Sequence, residues 1–219
     1  MPRPTIDELT VADGPERWAA LGFTIDDGCC RLGDVRLRLA GEDSGRGIVG
    51  WSLRDIHSSE LDGLPTTLSA RPIPTGEPPA HANGVVAIDH VVAFSPSFQR
   101  SVDALQTAGL DLRRVREEPT PAGAPRQAFF RLGHEILELV QAPEDVVQRE
   151  GGPERSARFW GLALLVEDLD RTVEFLGAHA GEPRAAVQPG RRIATVRRSA
   201  GLAVPLALMS TADRIGARS

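Results

Sequence analysis

Ile88-Asp89-His90-Val91-Val92-Ala93-Phe94, followed by Ser97-Phe98-Gln99-Arg100-Ser101-Val102, decides the fold because it returns later in the chain. The second copy reads Phe159-Trp160-Gly161-Leu162-Ala163-Leu164-Leu165, followed by Asp168-Leu169-Asp170-Arg171-Thr172-Val173. Leu137-Glu138-Leu139-Val140 and Leu206-Ala207-Leu208-Met209 close the two copies, so that His90 falls opposite Gly161 and Glu138 opposite Ala207. The copies keep their length: 48 positions separate His90 from Glu138, and 46 separate Gly161 from Ala207. A shared framework with chemical groups in only one copy implies a duplicated fold whose site has become asymmetric.

Working outward, each copy reads as strand, helix, then three strands. In the first, residues 85–94 form a strand, and Ser97 opens a helix with apolar residues at Phe98, Val102 and Leu105 until Gly109 ends it. Strands follow at 112–116, 126–131 and 135–140, with the Pro-rich loop 117–125 placed to overhang a pocket. The second copy repeats the order: strand 158–166, a helix capped by Asp168 and ending near Gly177, and strands near 184–188, 191–197 and 202–209. Neither βαβββ unit covers both faces of its own sheet. The expectation is an α+β fold of paired βαβββ modules forming an incomplete β-barrel around a central cavity.

The N-terminal part reads as a shortened module of similar type over residues 1–56, with a strand at 5–12, a helix capped by Asp13, and strands at 35–39 and 47–56. Ile6-Asp7-Glu8 resembles Ile88-Asp89-His90 and Leu32-Gly33 resembles Leu132-Gly133, which sets Glu8 opposite His90 and Arg38 opposite Glu138. Residues 57–84, carrying five prolines, read as a stiff connector to a domain at 85–212, made of modules 85–143 and 157–210. Gly45-Arg46-Gly47-Ile48-Val49-Gly50 spells a phosphate-loop pattern, but a strand candidate follows it where a helix is required, so it reads as a turn entering a strand.

Composition removes whole classes of function. The chain has 219 residues, 41% of them hydrophobic, with a net charge of −5, and its arginines are scattered; a soluble globular protein that binds neither nucleic acid nor membrane is expected. There is no Lys and no Tyr, which excludes Schiff-base lysines, P-loop lysines and tyrosine acids. The preference for Arg over Lys points to a GC-rich bacterial coding sequence. Adjacent Cys29 and Cys30 suit neither a structural disulfide nor a metal site, and with no apolar leader the reading is cytoplasmic.

Paired βαβββ units that open with Ile-Asp-His-Val-Val-x-Phe and close with Ile-Leu-Glu-Leu-Val resemble the vicinal oxygen chelate superfamily, which includes glyoxalase I, extradiol dioxygenases, methylmalonyl-CoA epimerase and bleomycin-resistance proteins. The resemblance covers residues 85–210 and extends weakly to 1–56. It implies that His90 and Glu138 bind a divalent metal within the barrel. Gly161 and Ala207 cannot supply the remaining ligands, which departs from the four-ligand glyoxalase pattern. A hard divalent ion takes about six ligands, so a third donor is sought among His57, His81 and Glu8, or from a partner in a homodimer, whereas His134, about 13 Å along its strand from Glu138, is set too far away to share the ion.

Three readings of the His90 and Glu138 pair stand side by side: a metal site, a metal-free His–carboxylate dyad that binds or protonates a ligand, and an inherited structural pair. Strand alternation sets Ile88, His90 and Val92 on one interior face with Ile136, Glu138 and Val140. Val92, Phe130, Gly161, Ala163, Ala207 and Met209 are the candidate pocket lining around this half-retained site. Of Phe129 and Phe130, which face opposite ways, one is core. The expected function is binding of a small organic molecule, with His90 and Glu138 as anchor and as catalytic residues if lyase- or isomerase-type chemistry operates. The alternative is metal-free sequestration of the bleomycin-resistance type. Arg126, Arg191, Arg192 and Arg197 read first as solvated strand edges.

Overall fold

A computed structural model describes residues 3–119 and 123–211. Two mixed sheets carry the chain. One has five strands in the order β2-β3-β1-β4-β5, built from β1 (Thr5–Val11), β2 (Cys29–Leu32), β3 (Val35–Leu39), β4 (Ile48–Arg54) and β5 (Thr66–Leu68), with the short helix α1 (Pro15–Ala20) after β1. The other has eight strands in the order β11-β12-β13-β10-β6-β9-β8-β7. Its first module supplies β6 (Val85–Ser95), α2 (Phe98–Thr107), β7 (Asp111–Arg116), β8 (Gln127–Leu132) and β9 (Glu135–Gln141). After the linking helix α3 (Glu144–Arg149), the second supplies β10 (Arg158–Val166), α4 (Leu169–Leu176), β11 (Arg184–Ala185), β12 (Arg192–Thr195) and β13 (Leu206–Ser210). The sheet ends in free edges at β7 and β11, so the barrel is incomplete. Among the described residues no helix is long and apolar enough to cross a membrane.

The duplication is legible in the registers. In each module the opening strand runs parallel to the closing strand: β6 sets His90 beside Ile136, β10 sets Ala163 beside Ala207, and β1 sets Glu8 beside Arg36. The opening strands pair antiparallel, with Gly161 opposite Val92 and Gly50 opposite Thr10. Gly50 and Gly161 are therefore equivalent, and each lies against a proline carbonyl from its parallel partner, Pro65 or Pro205. The backbone N–H groups of Trp51 and Leu162, one residue on, donate to those same carbonyls. Thus β4 and β5 form a second, heavily trimmed N-terminal unit, and the segment expected as connector contributes the strand Thr66–Leu68 to the first sheet.

Both sheets share one apolar core that includes Trp18, Trp51, Leu37, Phe130, Leu137 and Phe159, with Trp51 and Phe159 meeting edge to face at 5.0 Å. Two turns pack reciprocally between the sheets, the Gly33 turn against Ala87 at the start of β6 and the Gly133 turn against Thr5 at the start of β1. Asp13 departs from its expected role. It is fully buried, Gly14 holds the cap position of α1, and the Asp13 carboxylate accepts from Trp18 Nε1 at 3.2 Å and from the Ala203 backbone N–H at 2.7 Å, tying the two sheets together. Asp168 does cap α4, accepting from the backbone N–H groups of Asp170 and Arg171.

A Cβ built on Gly161 would lie 2.7 Å from the Pro205 carbonyl oxygen, whereas on Gly50 the corresponding approach is 3.3 Å. Gly161→Ala is expected to cost about 1–3 kcal/mol in chemical denaturation and Gly50→Ala distinctly less; equal effects would contradict the close approach. A second prediction concerns Glu135, 4% exposed at the head of β9. Burial pushes its carboxyl up to about 7, against hydrogen bonds from its own and the His134 backbone N–H groups. Between pH 4.5 and about 7 the folded chain keeps a proton that the unfolded chain has released. This contribution to stability is therefore complete below 4.5 and is lost as pH rises to about 7, by as much as roughly 3 kcal/mol. Glu135→Gln should remove that dependence, as denaturation midpoints from pH 4.5 to 8 would show.

Candidate functional site

The site grows from an irregularity in β6. Against β10, Ala163 pairs with His90 but Leu164 pairs with Ile88, so Asp89 is a bulged extra residue. A bulge breaks the two-residue alternation, and consecutive residues can then face one side. Asp89 and His90 both turn to the face away from the main core, while Ile88 packs into that core, against the alternation expected from sequence. The same bulge sits at Asp7 in β1, where Ser52 pairs with Glu8 and Leu53 with Ile6. In β10 it sits at Trp160, which stands 46% exposed and edge-on to Phe94 at 5.6 Å.

From this bulge a chain of polar contacts crosses that face of the sheet. Arg191 Nη2 donates to Asp89 Oδ1 at 2.6 Å, and Asp89 Oδ2 meets His90 Nδ1 at 2.8 Å. His90 Nε2 then lies 3.3 Å from Glu138 Oε2, and Gln127 Nε2 donates to Glu138 Oε1. Burial raises the Asp89 pKa, but the hydrogen bonds from His90 and Arg191 outweigh it and hold the carboxyl below its ordinary value, so Asp89 is the acceptor for a proton on His90 Nδ1. That leaves Nε2 pointing at Glu138. Imidazole nitrogen and carboxylate oxygen, two lone pairs at this separation, are held together by a proton on Nε2 or by a cation between them.

The geometry tests the implied metal. Two ligands at about 2.0–2.2 Å from one ion and at right angles stand about 3 Å apart, close to the observed separation, and a His ligand steadied through its other nitrogen by a carboxylate is the usual arrangement. His90 and Glu138 therefore fit as two donors of one divalent ion, with Asp89 as the orienting partner. Among the described residues no three His, Cys, Asp or Glu side chains gather to hold an ion. His57 packs on Gly109, and His81 accepts the Thr24 N–H and lies beside Cys30 and the Arg31 carbonyl. His134 sits exposed in the turn before β9, and Glu8 pairs with Arg38 at 3.2 Å and Arg71 at 3.1 Å in the other sheet. The equivalent of the metal position in the first sheet is thus filled by guanidinium groups. Asp7 there, 1% exposed, binds Arg36 and Arg54.

The expected lining residues part company. Val92 forms a small apolar cluster with Val140, Ala124 and Phe94, apart from the main core, and Ala124 comes from the 117–125 loop. Phe130 lies in the main core, fully buried; Phe129 is the one paired with Glu138 and facing the site. Gly161 is closed against Pro205, and Ala163 and Met209 are 1% and 3% exposed, so among the second-copy residues Ala207 alone keeps partial exposure. A cleft of about 240 Å³ lies elsewhere, between His81, Asn83, Glu167 and Arg171. Sequence reading missed Asp89 and Gln127 and set Arg191 at a solvated edge, whereas its side chain is 14% exposed. The Cys30 thiol, pushed up to about 12 by burial, is inert.

No family model matches the sequence, and no curated protein matches it. Among solved structures, a variant of 4-hydroxymandelate synthase from Streptomyces coelicolor is similar across 100% of this chain and 94% of its own, at 14% identity and a TM-score of 0.61. A fusion of a xylose isomerase-like TIM barrel with 4-hydroxyphenylpyruvate dioxygenase matches 98% of this chain and 50% of its own, at 10% identity and a TM-score of 0.58. Methylmalonyl-CoA epimerase from Mycobacterium tuberculosis matches 63% and 95%, at 18% identity and a TM-score of 0.48. The fold is of the vicinal oxygen chelate type. At such identities the likeness establishes the fold, and the chemistry has to be argued from the side chains.

Gln127→Ala should release one oxygen of Glu138 and leave that largely shielded carboxylate with one partner fewer. A stability loss of about 1–3 kcal/mol is expected, and it should nearly vanish when Glu138 is already Gln, as a double-mutant cycle would measure.

Proposed function

We propose that the chain binds a small organic molecule on the face of its eight-stranded sheet that carries Asp89 and His90, with His90 and Glu138 as the polar anchor of a half-retained metal site. The observation that carries this reading is the convergence of His90 Nε2 and Glu138 Oε2 at 3.3 Å, steadied from both sides by Asp89 and Gln127. Divalent metal, when bound, supplies Lewis acidity toward a carbonyl or enediolate oxygen. His90 and Glu138 would hold it, leaving room for oxygens of the organic ligand to reach it. Glu138 is the residue able to accept a proton beside such an oxygen, which gives lyase- or isomerase-type chemistry. The reading places the protein in the cytoplasm of a bacterium.

A metal-free sequestering protein is the second reading, and the two-donor count favours it. In that case His90 Nδ1 keeps its proton toward Asp89 while a second proton, on Nε2, bridges to Glu138, and the pair offers a hydrogen bond to the ligand. Isothermal titration of the metal-free chain with Zn(II) and Mn(II) tests the choice. The metal reading predicts one ion per chain, with affinity at least about tenfold weaker in His90→Ala and in Glu138→Gln. A wild type that takes up neither ion yet binds apolar ligands overturns it and leaves sequestration.

A further inference from the structure

The second module looks chemically blank, because Gly161 and Ala207 stand where His90 and Glu138 stand in the first. We infer that it nevertheless completes the site, through Arg191, a positioning residue that fixes which nitrogen of His90 carries the proton. The inference rests on the reading of His90 as the anchor and adds how that anchor is set.

Arg191 lies just before β12, and each of its three guanidinium nitrogens makes a hydrogen bond. Nε donates to the Ser210 carbonyl at 2.8 Å, Nη1 to Gln188 Oε1 at 2.7 Å and Nη2 to Asp89 Oδ1 at 2.6 Å. The first two bonds fix the guanidinium to its own module; the third crosses to the bulge of β6. Arg191, Asp89 and His90 side chains are 14%, 14% and 15% exposed, so the contacts are shielded from competing water. With Oδ1 held by Arg191, the carboxylate cannot rotate freely, and Oδ2 is presented to His90 Nδ1. A free neutral imidazole prefers its proton on Nε2, the nitrogen that here faces Glu138. Asp89, with Oδ1 engaged by Arg191 and Oδ2 at 2.8 Å from Nδ1, draws it to Nδ1 and leaves the Nε2 lone pair turned to whatever electrophile enters the gap beside Glu138, proton or metal. In the first sheet the equivalent bulge residue Asp7 also binds arginines, Arg36 and Arg54, but Glu8 follows it where His90 would be, so the arrangement there has no imidazole to orient.

Imidazole nitrogen chemical shifts of the metal-free full-length chain, recorded at alkaline pH where the ring is neutral, test this. In wild type His90 should carry its proton on Nδ1. In Asp89→Ala and in Arg191→Met it should shift wholly or largely to Nε2, with loss of the hydrogen-bonded Nδ1 proton resonance. Arg192→Met, which removes the neighbouring guanidinium that pairs with Asp170 and not with Asp89, should keep the wild-type signature, a result that general disturbance of this strand would not give. Zn(II) affinity should fall about tenfold in Arg191→Met and remain in Arg192→Met. Wild type with the proton on Nε2, or Arg191→Met with an unchanged tautomer, overturns the inference, and circular dichroism on each variant separates these results from unfolding. Because the tautomer is read without metal, an Nδ1 proton in a chain that binds no Zn(II) would sink the metal reading and leave the role of Arg191 standing.

Discussion

The parallel register of β6 against β9, with one bulge at Asp89, is the constraint on which the site depends. Val92 pairs with Glu138, so the carboxylate lies two residues along from His90 on the neighbouring strand, and the bulge then brings Asp89 to the same face as His90. A slip of one residue in β9 would turn Glu138 into the main core, and one in β6 would turn His90 away, and either would break the chain from Arg191 to Gln127. Buried charge is costly unless paired. Here each group answers its neighbour: guanidinium, carboxylate, imidazole, carboxylate, amide.

The same opening-strand geometry recurs in four forms, and the differences say what each unit does. Asp89-His90 with Glu138 makes the polar anchor. Asp7-Glu8 with Arg38 makes a salt bridge, with arginines where a cation would sit. Trp160-Gly161 and Val49-Gly50 follow the bulge with glycine, and in both the glycine seats a proline carbonyl from the parallel partner strand. The architecture is kept by backbone pairing and by the shared core, so the side chains at the bulge are free to differ.

The paired modules were readable from sequence because two copies constrain each other: strands, helix caps such as Asp168, and the placement of His90 and Glu138 all follow from repeat spacing. The bulges were not, since a period of two assigns Asp89 to the core side and Ile88 to the site, the reverse of what is seen. Thr66–Leu68 is too short to show any period and was hidden among prolines. Of Phe129 and Phe130, parity alone could not decide which is core; the register of β8 against β9 does. Arg191 belongs to a turn whose reach to Asp89 depends on the pairing of β12, β13, β10 and β6, information that lies in tertiary structure and not in local pattern. The small residues of the second copy looked like open space, but Gly161 is small because a backbone carbonyl presses on it.

The most direct measurement is a crystal structure of the full chain soaked with Zn(II), with anomalous scattering recorded at the zinc edge. The account predicts a peak about 2.0–2.2 Å from both His90 Nε2 and Glu138 oxygen, with Asp89 still bonded to Nδ1. A peak ligated elsewhere, or His90 and Glu138 turned away from each other, would contradict it.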